Sequence, residues 1–501
     1  MSPAVVLHWP GRASRLILVP VAVRRLGGAL ATGDFDDGGT DVPGQVAGTV
    51  ERVLVIGAGI AGLTVANALT HAGIECVVLE ARDRTGGRLH TVDLGGWPVD
   101  LGGSWIHTPE GNPMSALARQ AGVSCGSADP VPEMAGFDSG EGRRLSMSET
   151  ADLLDLYLEG FPAAAEGLLL PLGPGASMAE AIESFVAATG YAPGPARRTR
   201  QMLYGGIEAE AADLAGRQSL RWMWNELEYG GSYFGDVPDG GYRRLVHAMA
   251  TGVDVRLGWP AAEIALSPDG VRVATADGRA AEGSHVVVTV PLGVLKRGLP
   301  RFSPTLPPDR LAAIGRLGFG RFEKVALRFA EPFWREAGLP HLMVFPRDPE
   351  QWMVWAMGLD AFGGGPVMVF FVFHSAAERL AGAGEDVWVR WALGMLAEAA
   401  GRPCPEPSAV IVTSWADDPW TGGAYTHIPP GASPADADLL GEPLGGRLLF
   451  AGEHTQSRRL AYADGALTSG IREAKRLLGR PAVRITAAQV RTRASIPRGR
   501  P

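Results

Sequence analysis

Three glycines, Gly57, Gly59 and Gly62, stand in the spacing G-x-G-x-x-G within RVLVIGAGIAGLTVANALTHAGIECVVLE, and Glu80 closes that stretch. Residues of these types can bind a pyrophosphate. Gly57 permits a tight turn, Gly59 lets the backbone approach phosphate oxygens, and Gly62 lets a helix pack closely on a strand. The phosphates then lie at a helix N-terminus, where free N–H groups and the helix dipole attract anions. An acidic side chain ending the next strand accepts hydrogen bonds from a ribose. By itself such glycine spacing often marks only a turn. Here the apolar run Val53 to Ile56 precedes it, helical periodicity follows to about Ala72, and a second apolar run from Ile74 to Leu79 leads into Glu80. That order of strand, turn, helix and strand makes a dinucleotide site the expectation. Arg82, Arg84, Gly86, Gly87 and Arg88 follow at once and add amides and cations near the same phosphates.

The rest of the chain must position this site. With 501 residues it can bury a large core and form about two or three domains. Its 46% hydrophobic and 20% charged residues are those of an ordinary globular protein. A net charge of −8 argues against nucleic acid or an anionic membrane as partner. Cys76, Cys125 and Cys404 are too scattered for a disulfide framework or a zinc site, and the histidines show no metal spacing, so no metal and a reducing cytoplasm are expected.

Residues 1–50 read as a flexible extension. Arg24-Arg25 follow the short apolar run Leu16 to Val23 too closely for a secretory segment, and no run is long enough to span a membrane. Residues 146–217 have helical periodicity and end in the cluster Leu220-Arg221-Trp222-Met223-Trp224. Between 253 and 290 the stretches VDVRL, AEIALS, VRVATA and HVVVTV read as one β-meander, with hairpin signals at Asp269-Gly270 and Asp277-Gly278. The strand from Phe322 to Phe329 alternates, with Val325, Leu327 and Phe329 on one face and Lys324 with Phe322 and Ala326 on the other. A strand enters Ala451-Gly452-Glu453, and an amphipathic helix runs from about Gly465 to Leu478. From Arg480 on, the arginine-rich tail reads as disordered.

The GG run after Glu80 resembles that of two-domain flavoproteins, which points to FAD rather than NAD. Five stretches together resemble the flavin-containing amine oxidase family, which includes monoamine oxidases, polyamine oxidases and lysine-specific histone demethylases. They are IGAGIAGL…LEARDRTGGR, DLGGSWIH…GNP, VVVTVPLGVLK, LGFGRFEKVALRF, and the pair SWADDPWTGGAYTHIPPG with LLFAGEHT…DGALTSGIREA, spanning about residues 51–480. The resemblance implies an α/β, two-domain FAD-dependent amine oxidase fold, with a Rossmann-type FAD domain and an interleaved α+β substrate domain. It divides the chain into an FAD domain over 51–105, 243–300 and 440–479, a substrate domain over 106–242 and 301–439, and a basic tail over 480–501. Carried over residue by residue, it places Glu80 and Arg82 at the adenosine ribose and Arg88 at the pyrophosphate. Gly103 allows close approach to the ring, which Ser104 and Trp105 line. Ala261 meets the adenine through its backbone, and Glu453 with the backbone at Tyr462-Ala463 meets the ribityl and phosphate part.

In the family a hydride leaves the carbon next to the amine for flavin N5, the imine is hydrolysed, and O2 reoxidises the flavin to give H2O2. The amine must react neutral, because a protonated nitrogen has no lone pair to stabilise the developing iminium. Lys324 falls where the family places a lysine that holds water against N5. Tyr425 and Tyr462 fall on the two tyrosines that sandwich the amine. Ala424 replaces the cysteine that bonds flavin in monoamine oxidases, so FAD is expected to be non-covalent. His107 and Glu110 are expected at the substrate, Glu110 on a distal ammonium. The run Trp222-Met223-Trp224-Asn225 departs from the more acidic run of many polyamine oxidases, leaving a polyamine or a lipophilic monoamine as substrate, and a homodimer stays open. Two other readings are a related flavoprotein acting on C–C bonds and a flavin-binding scaffold with little turnover.

Overall fold

The computed structural model of the protein describes residues 46–227, 229–480 and 483–488, together with the strand pair Val5–Val6 and Leu18–Val19. Most of the extension expected over residues 1–50 lies outside them. Strands β1 (Arg52–Ile56), β2 (Glu75–Leu79), β3 (Asp254–Arg256), β4 (His285–Val288) and β5 (Leu448–Phe450) form one sheet in the order β3-β2-β1-β4-β5. Each neighbouring pair is parallel. Strands covered on both faces read as unbroken apolar runs, and Val53, Leu54 and Val55 are fully buried. Helices α1 (Ile60–His71) and α2 (Ala463–Leu478) lie together on this sheet. Their close approach depends on Gly470, where a Cβ would come within 2.5 Å of the Ala61 carbonyl oxygen.

Two stretches expected in the meander belong to this sheet instead. HVVV is the buried inner strand β4, which is why it lacks alternation, and VDVR is the edge strand β3, which alternates because one face is solvated. The meander itself consists of Ala261–Leu266, Val271–Thr275 and Ala280–Gly283, with Arg301–Ser303 added in parallel. A second, seven-stranded sheet contains Glu323–Arg328 between Ala409–Val412 and Val367–Val372. Val325, Leu327 and Phe329 enter the core on one of its faces, and Ala326 enters the core shared with the helical lobe. That lobe includes Met147–Asp155, Met178–Thr189 and Pro193–Ala211, the first two begun by capping boxes at Ser146/Glu149 and Ser177/Glu180. The fold is thus α/β with two sheets on separate cores, and we propose the discontinuous domain division given above.

The tail departs from expectation. Val483, Ile485 and Ala487 are buried in the core of α1, the Thr486 N–H donates to Asn67 Oδ1 at 3.1 Å, and the Ala488 N–H donates to the Ala248 carbonyl at 3.2 Å. Apolar residues at every second position formed a strand-like face that the surrounding arginines obscured. Residues 489–501 lie outside the described residues.

Candidate active site

The carboxyl ends of β1 and β4 flank the point where the order of the parallel sheet reverses, the usual place for a ligand in such sheets. At Gly57 the chain turns with φ +106°. Gly59 starts α1 with no side chain capping it, leaving the helix N–H groups to a ligand. A Cβ at Gly59 would meet nothing within 4 Å, whereas one at Gly62 would lie 2.1 Å from the Gly57 carbonyl oxygen. The second glycine pair docks on this turn, since the Gly86 N–H donates to the Ala58 carbonyl at 2.8 Å and Gly87 abuts Gly59.

Glu80 is buried, and its carboxylate accepts the N–H groups of Ala58 at 2.6 Å and Arg82 at 2.9 Å. Arg82 lines the same cavity, and its guanidinium is held by other side chains of the protein. It donates to both oxygens of Asp418 at 2.7 and 2.8 Å and to Thr421 Oγ1 at 2.7 Å, because a carboxylate matches its fork geometry. Arg88 donates to the Ala424 carbonyl at 2.7 Å and to Glu453 Oε1 at 3.0 Å. Glu453, buried, also accepts Thr426 Oγ1–H at 3.0 Å and the Ala461 N–H at 2.9 Å.

One cavity of about 370 Å³ runs from this turn to the second sheet. Glu80, Trp259 and Ala261 line one end, Gly103, Ser104 and Trp105 lie further along, and Ala463 at the start of α2 also reaches it. Unfilled space at Gly59, uncapped amides, a fixed carboxylate at Glu80 and the aromatic lining at Trp105 fit FAD. Ala424 lines the cavity and none of the three cysteines does, so FAD is held without a covalent bond. Among the described residues no group of His, Cys, Asp or Glu could hold a metal, and no helix is long and apolar enough to cross a membrane.

Lys324 is 4% exposed, and its ammonium points into this space. Nζ donates to the Asp100 carbonyl at 3.0 Å, the Gly102 carbonyl at 2.7 Å and Ser104 Oγ at 2.6 Å. Burial lowers its pKa to about 8 although the Asp100 carboxylate opposes this, and burial raises Asp100 to about 6. The glycine that closes this turn sterically is Gly102, where a Cβ would lie 1.8 Å from the Arg88 carbonyl oxygen. Trp105 stands 5.3 Å from Phe371 and 6.0 Å from His107 between ring centres.

His107, Tyr425 and Tyr462 all reach the cavity. The His107 Nδ1 lies 2.7 Å from the Tyr233 carbonyl oxygen, which can only accept, so Nδ1 carries the proton and Nε2 keeps its lone pair. Burial lowers its pKa. The Tyr462 ring is 5.5 Å from His107 and sits over Arg459, whose guanidinium carbon is 3.9 Å from the ring centre. Tyr425 donates its hydroxyl to the Ala209 carbonyl.

Glu110 is not among the lining residues. It is exposed and bridges backbone to backbone with Gly230, because the chain turns away from the cavity after His107. Besides Glu80, Glu453 and Asp464, the carboxylates that line the cavity are Glu210 and Glu226. Glu210 accepts the hydroxyls of Tyr157 at 2.7 Å and of Tyr233, and burial raises its pKa. Glu226 is accessible because it opens into the cavity, but protein encloses the wall that carries it. That enclosure, with the like charge of Glu210, raises it to about 8. Reading the run Trp222-Met223-Trp224-Asn225 one residue further, to Glu226, would have found it, whereas Glu210 lies near the end of an unremarkable helical stretch and gave no sequence signal.

Known proteins carry the same pattern. The family described as flavin containing amine oxidoreductase matches residues 60–478. Lysine-specific histone demethylase 1 homolog 2 of Oryza sativa subsp. japonica is 33% identical over 451 residues, covering 87% of this chain and 58% of its own length. Lysine-specific histone demethylase 1 homolog 1 of Arabidopsis thaliana is 32% identical over 451 residues, covering 85% of this chain and 52% of itself. Lysine-specific histone demethylase 1B of Mus musculus is 30% identical over 439 residues, with 85% and 53% covered. The chain therefore spans about half the length of these relatives. With its parallel sheet, uncapped glycine turn and buried lysine at the cavity, it belongs to the flavin-containing amine oxidoreductase family.

Proposed function

We propose that this chain is an FAD-dependent amine oxidase that oxidises a C–N bond of a primary or secondary amine. The observation that carries the reading is Lys324, buried and aimed into the cavity by three oxygen acceptors beside Ser104 and Trp105. Bound FAD would supply the hydride acceptor for the carbon beside nitrogen and the route for its electrons to O2, with H2O2 as product. The chain's own residues do the rest. Glu80 and the head of α1 orient the adenosine and phosphate part. Lys324, its three N–H bonds given to the Asp100 and Gly102 carbonyls and Ser104 Oγ, fixes the turn and the hydroxyl at the reactive edge. Tyr425 and Tyr462 face the amine with electron-rich rings, and His107 offers an unprotonated Nε2 beside them. The apolar walls exclude bulk water and favour the neutral amine.

The substrate class is drawn from the same cavity. Polyamines and lipophilic monoamines both fit an aromatic channel carrying carboxylates, and similarity to lysine-specific histone demethylases adds a methylated lysine side chain to the panel. Mixing the holoenzyme anaerobically with members of each class and following the flavin spectrum tests the reading. Bleaching by at least one amine supports it. A spectrum that no amine bleaches, in a protein that retains FAD, returns the choice to a C–C oxidase or a binding scaffold. We place the reaction in the cytoplasm on the low cysteine count, and cell fractionation tests this.

A further inference from the structure

A second, smaller cavity of about 40 Å³ adjoins the first. Glu210, Glu226 and Ala461 line both, so two carboxylates stand in the wall between them. Gln218 and His427 line the smaller cavity from the far side. They are 3% and 4% exposed, yet Gln218 Oε1 has no hydrogen-bond partner among the described residues, and the His427 ring has only the Ala211 backbone and a long contact to Asp213. Buried polar atoms in native proteins are nearly always satisfied, by water where protein does not reach. A water needs roughly 10–15 Å³ of such space and two or more polar partners. Gln218 Oε1, His427 and the two carboxylates supply the partners. His427 Nε2 lies 3.5 Å from Asp213 Oδ2, which ends the polar series.

Resting on the amine reading above, we propose that Glu226 and Glu210 accept the proton of the substrate ammonium and that water in the side cavity, between Gln218 and His427, carries it away. In this step the N–H bond of the ammonium breaks and its electron pair stays on nitrogen. The proton forms an O–H bond at a carboxylate oxygen and then passes to water. No electrons are exchanged, and the amine is left with the lone pair that the oxidation needs. Glu226 faces Glu210, Tyr462, Arg459 and Asp464, while Glu210 faces Tyr157 and Tyr233. Asp464 binds Arg459 at 2.6 and 3.0 Å and largely neutralises it. On the far side His427 faces Asp213, Lys296 and His374. A base works best when its pKa is near the operating pH, and the rise of Glu226 to about 8 meets that condition.

The test uses the holoenzyme and α,α-dimethylbenzylamine, which has no hydrogen on the carbon beside nitrogen and cannot be oxidised. Benzyltrimethylammonium, which has no proton to give, is the control. The infrared difference spectrum should show a protonated-carboxyl band with the amine and none with the control. Glu226→Gln or Glu210→Gln should weaken the band. With whichever panel amine bleaches the flavin fastest, the limiting rate at saturation should rise as pH passes about 8. Glu226→Gln should lose that rise and run roughly 100-fold slower above it. Gln218→Leu, which fills the side cavity, should keep the band but slow reduction. A band and a pH profile unchanged in both glutamine variants overturn the proposal, and so does bleaching by amines with no carboxyl band in the parent protein. If neither cation perturbs the flavin spectrum and no amine bleaches it, the amine reading itself fails and the proposal goes with it.

Discussion

Two glycines only three positions apart in sequence, Gly59 and Gly62, should respond in opposite ways to a single added methyl group. At Gly62 the new Cβ would stand 2.1 Å from the Gly57 carbonyl oxygen, 3.0 Å from Thr289 Oγ1 and 3.1 Å from Val55 Cγ1. The first neighbour is backbone in the turn itself, so α1 must move off the sheet or the turn must open. Overpacking of this kind typically costs about 1–3 kcal/mol. At Gly59 the Cβ meets nothing within 4 Å, and φ is −72°, which alanine adopts freely. The apoprotein should then be unchanged or gain about 0.4–1 kcal/mol through the unfolded chain. That methyl group, however, projects into the space the phosphates need. FAD affinity of Gly59→Ala should fall at least about tenfold, or 1.4 kcal/mol. Urea unfolding of the apoproteins and fluorescence titration with FAD read the two effects separately. A Gly59→Ala protein that binds FAD with parental affinity would refute the placement of the phosphates, and a Gly62→Ala apoprotein of parental stability would refute the packing argument.

Lys324→Met should change how stability depends on pH. Burial lowers the folded lysine from 10.5 to about 8, so between these limits the unfolded chain holds the extra proton. Wild type should therefore gain on the order of 3 kcal/mol over the variant as pH rises through that window, and none below it; parallel profiles from urea unfolding of the apoproteins would show that the ammonium is not buried as described. Tyr425→Phe removes the hydroxyl bond to Ala209 and should cost about 0.5–1.5 kcal/mol of stability while sparing amine-driven flavin reduction. Tyr425→Ala should slow that reduction by up to about tenfold, and equal rates in the two variants would remove the ring from the amine cage.

The two ends of the cavity differ in how legible they were, and the reason is physical. The phosphate end is made of backbone, and backbone geometry is set by local residue types, so Gly57, Gly59, Gly62 and the strand leading to Glu80 announced it in one stretch. Parallel strands also read plainly once their unbroken apolar runs are recognised, although HVVV was grouped with a meander because hairpin signals stood just before it. The amine end is made of side chains from segments far apart in sequence, among them Ser104, Glu226, Lys324 and Tyr462. Tertiary packing alone brings these together. Resemblance to a family pointed to Lys324 and the tyrosines, which reach the cavity, and to Glu110, which does not, because the backbone bridge to Gly230 turns its side chain outward. The bond from Arg82 to Asp418 was illegible for a related reason, since the two lie 336 residues apart.

Backbone strain at the amine end yields a last prediction. Among the described residues three that are not glycine have left-handed backbones, Thr108, Ala212 and Ala461. Each stands within two residues of a cavity-lining side chain: His107, Glu210 and Tyr462 respectively. Such a conformation costs an L-residue roughly 1–2 kcal/mol and persists only where surrounding bonds impose it. At Ala461, with φ 72°, the N–H is held at 2.9 Å by Glu453 Oε2, the same carboxylate that Arg88 and Thr426 grip. Tyr462 follows directly and caps α2 without a side-chain bond, so this residue sets where the ring stands. Ala461→Gly should relieve the strain while adding freedom to the unfolded chain worth about 0.4–1 kcal/mol, a net gain of up to about 1 kcal/mol. The gain in stability should come with slower amine-driven reduction, because the ring next to a freer backbone spends less time in the reactive arrangement. Urea unfolding and anaerobic stopped-flow measurements on the one variant decide it. A variant that is less stable than wild type would show that Ala461 carries no strain, and one that is more stable but equally fast would show that the strain does not serve Tyr462.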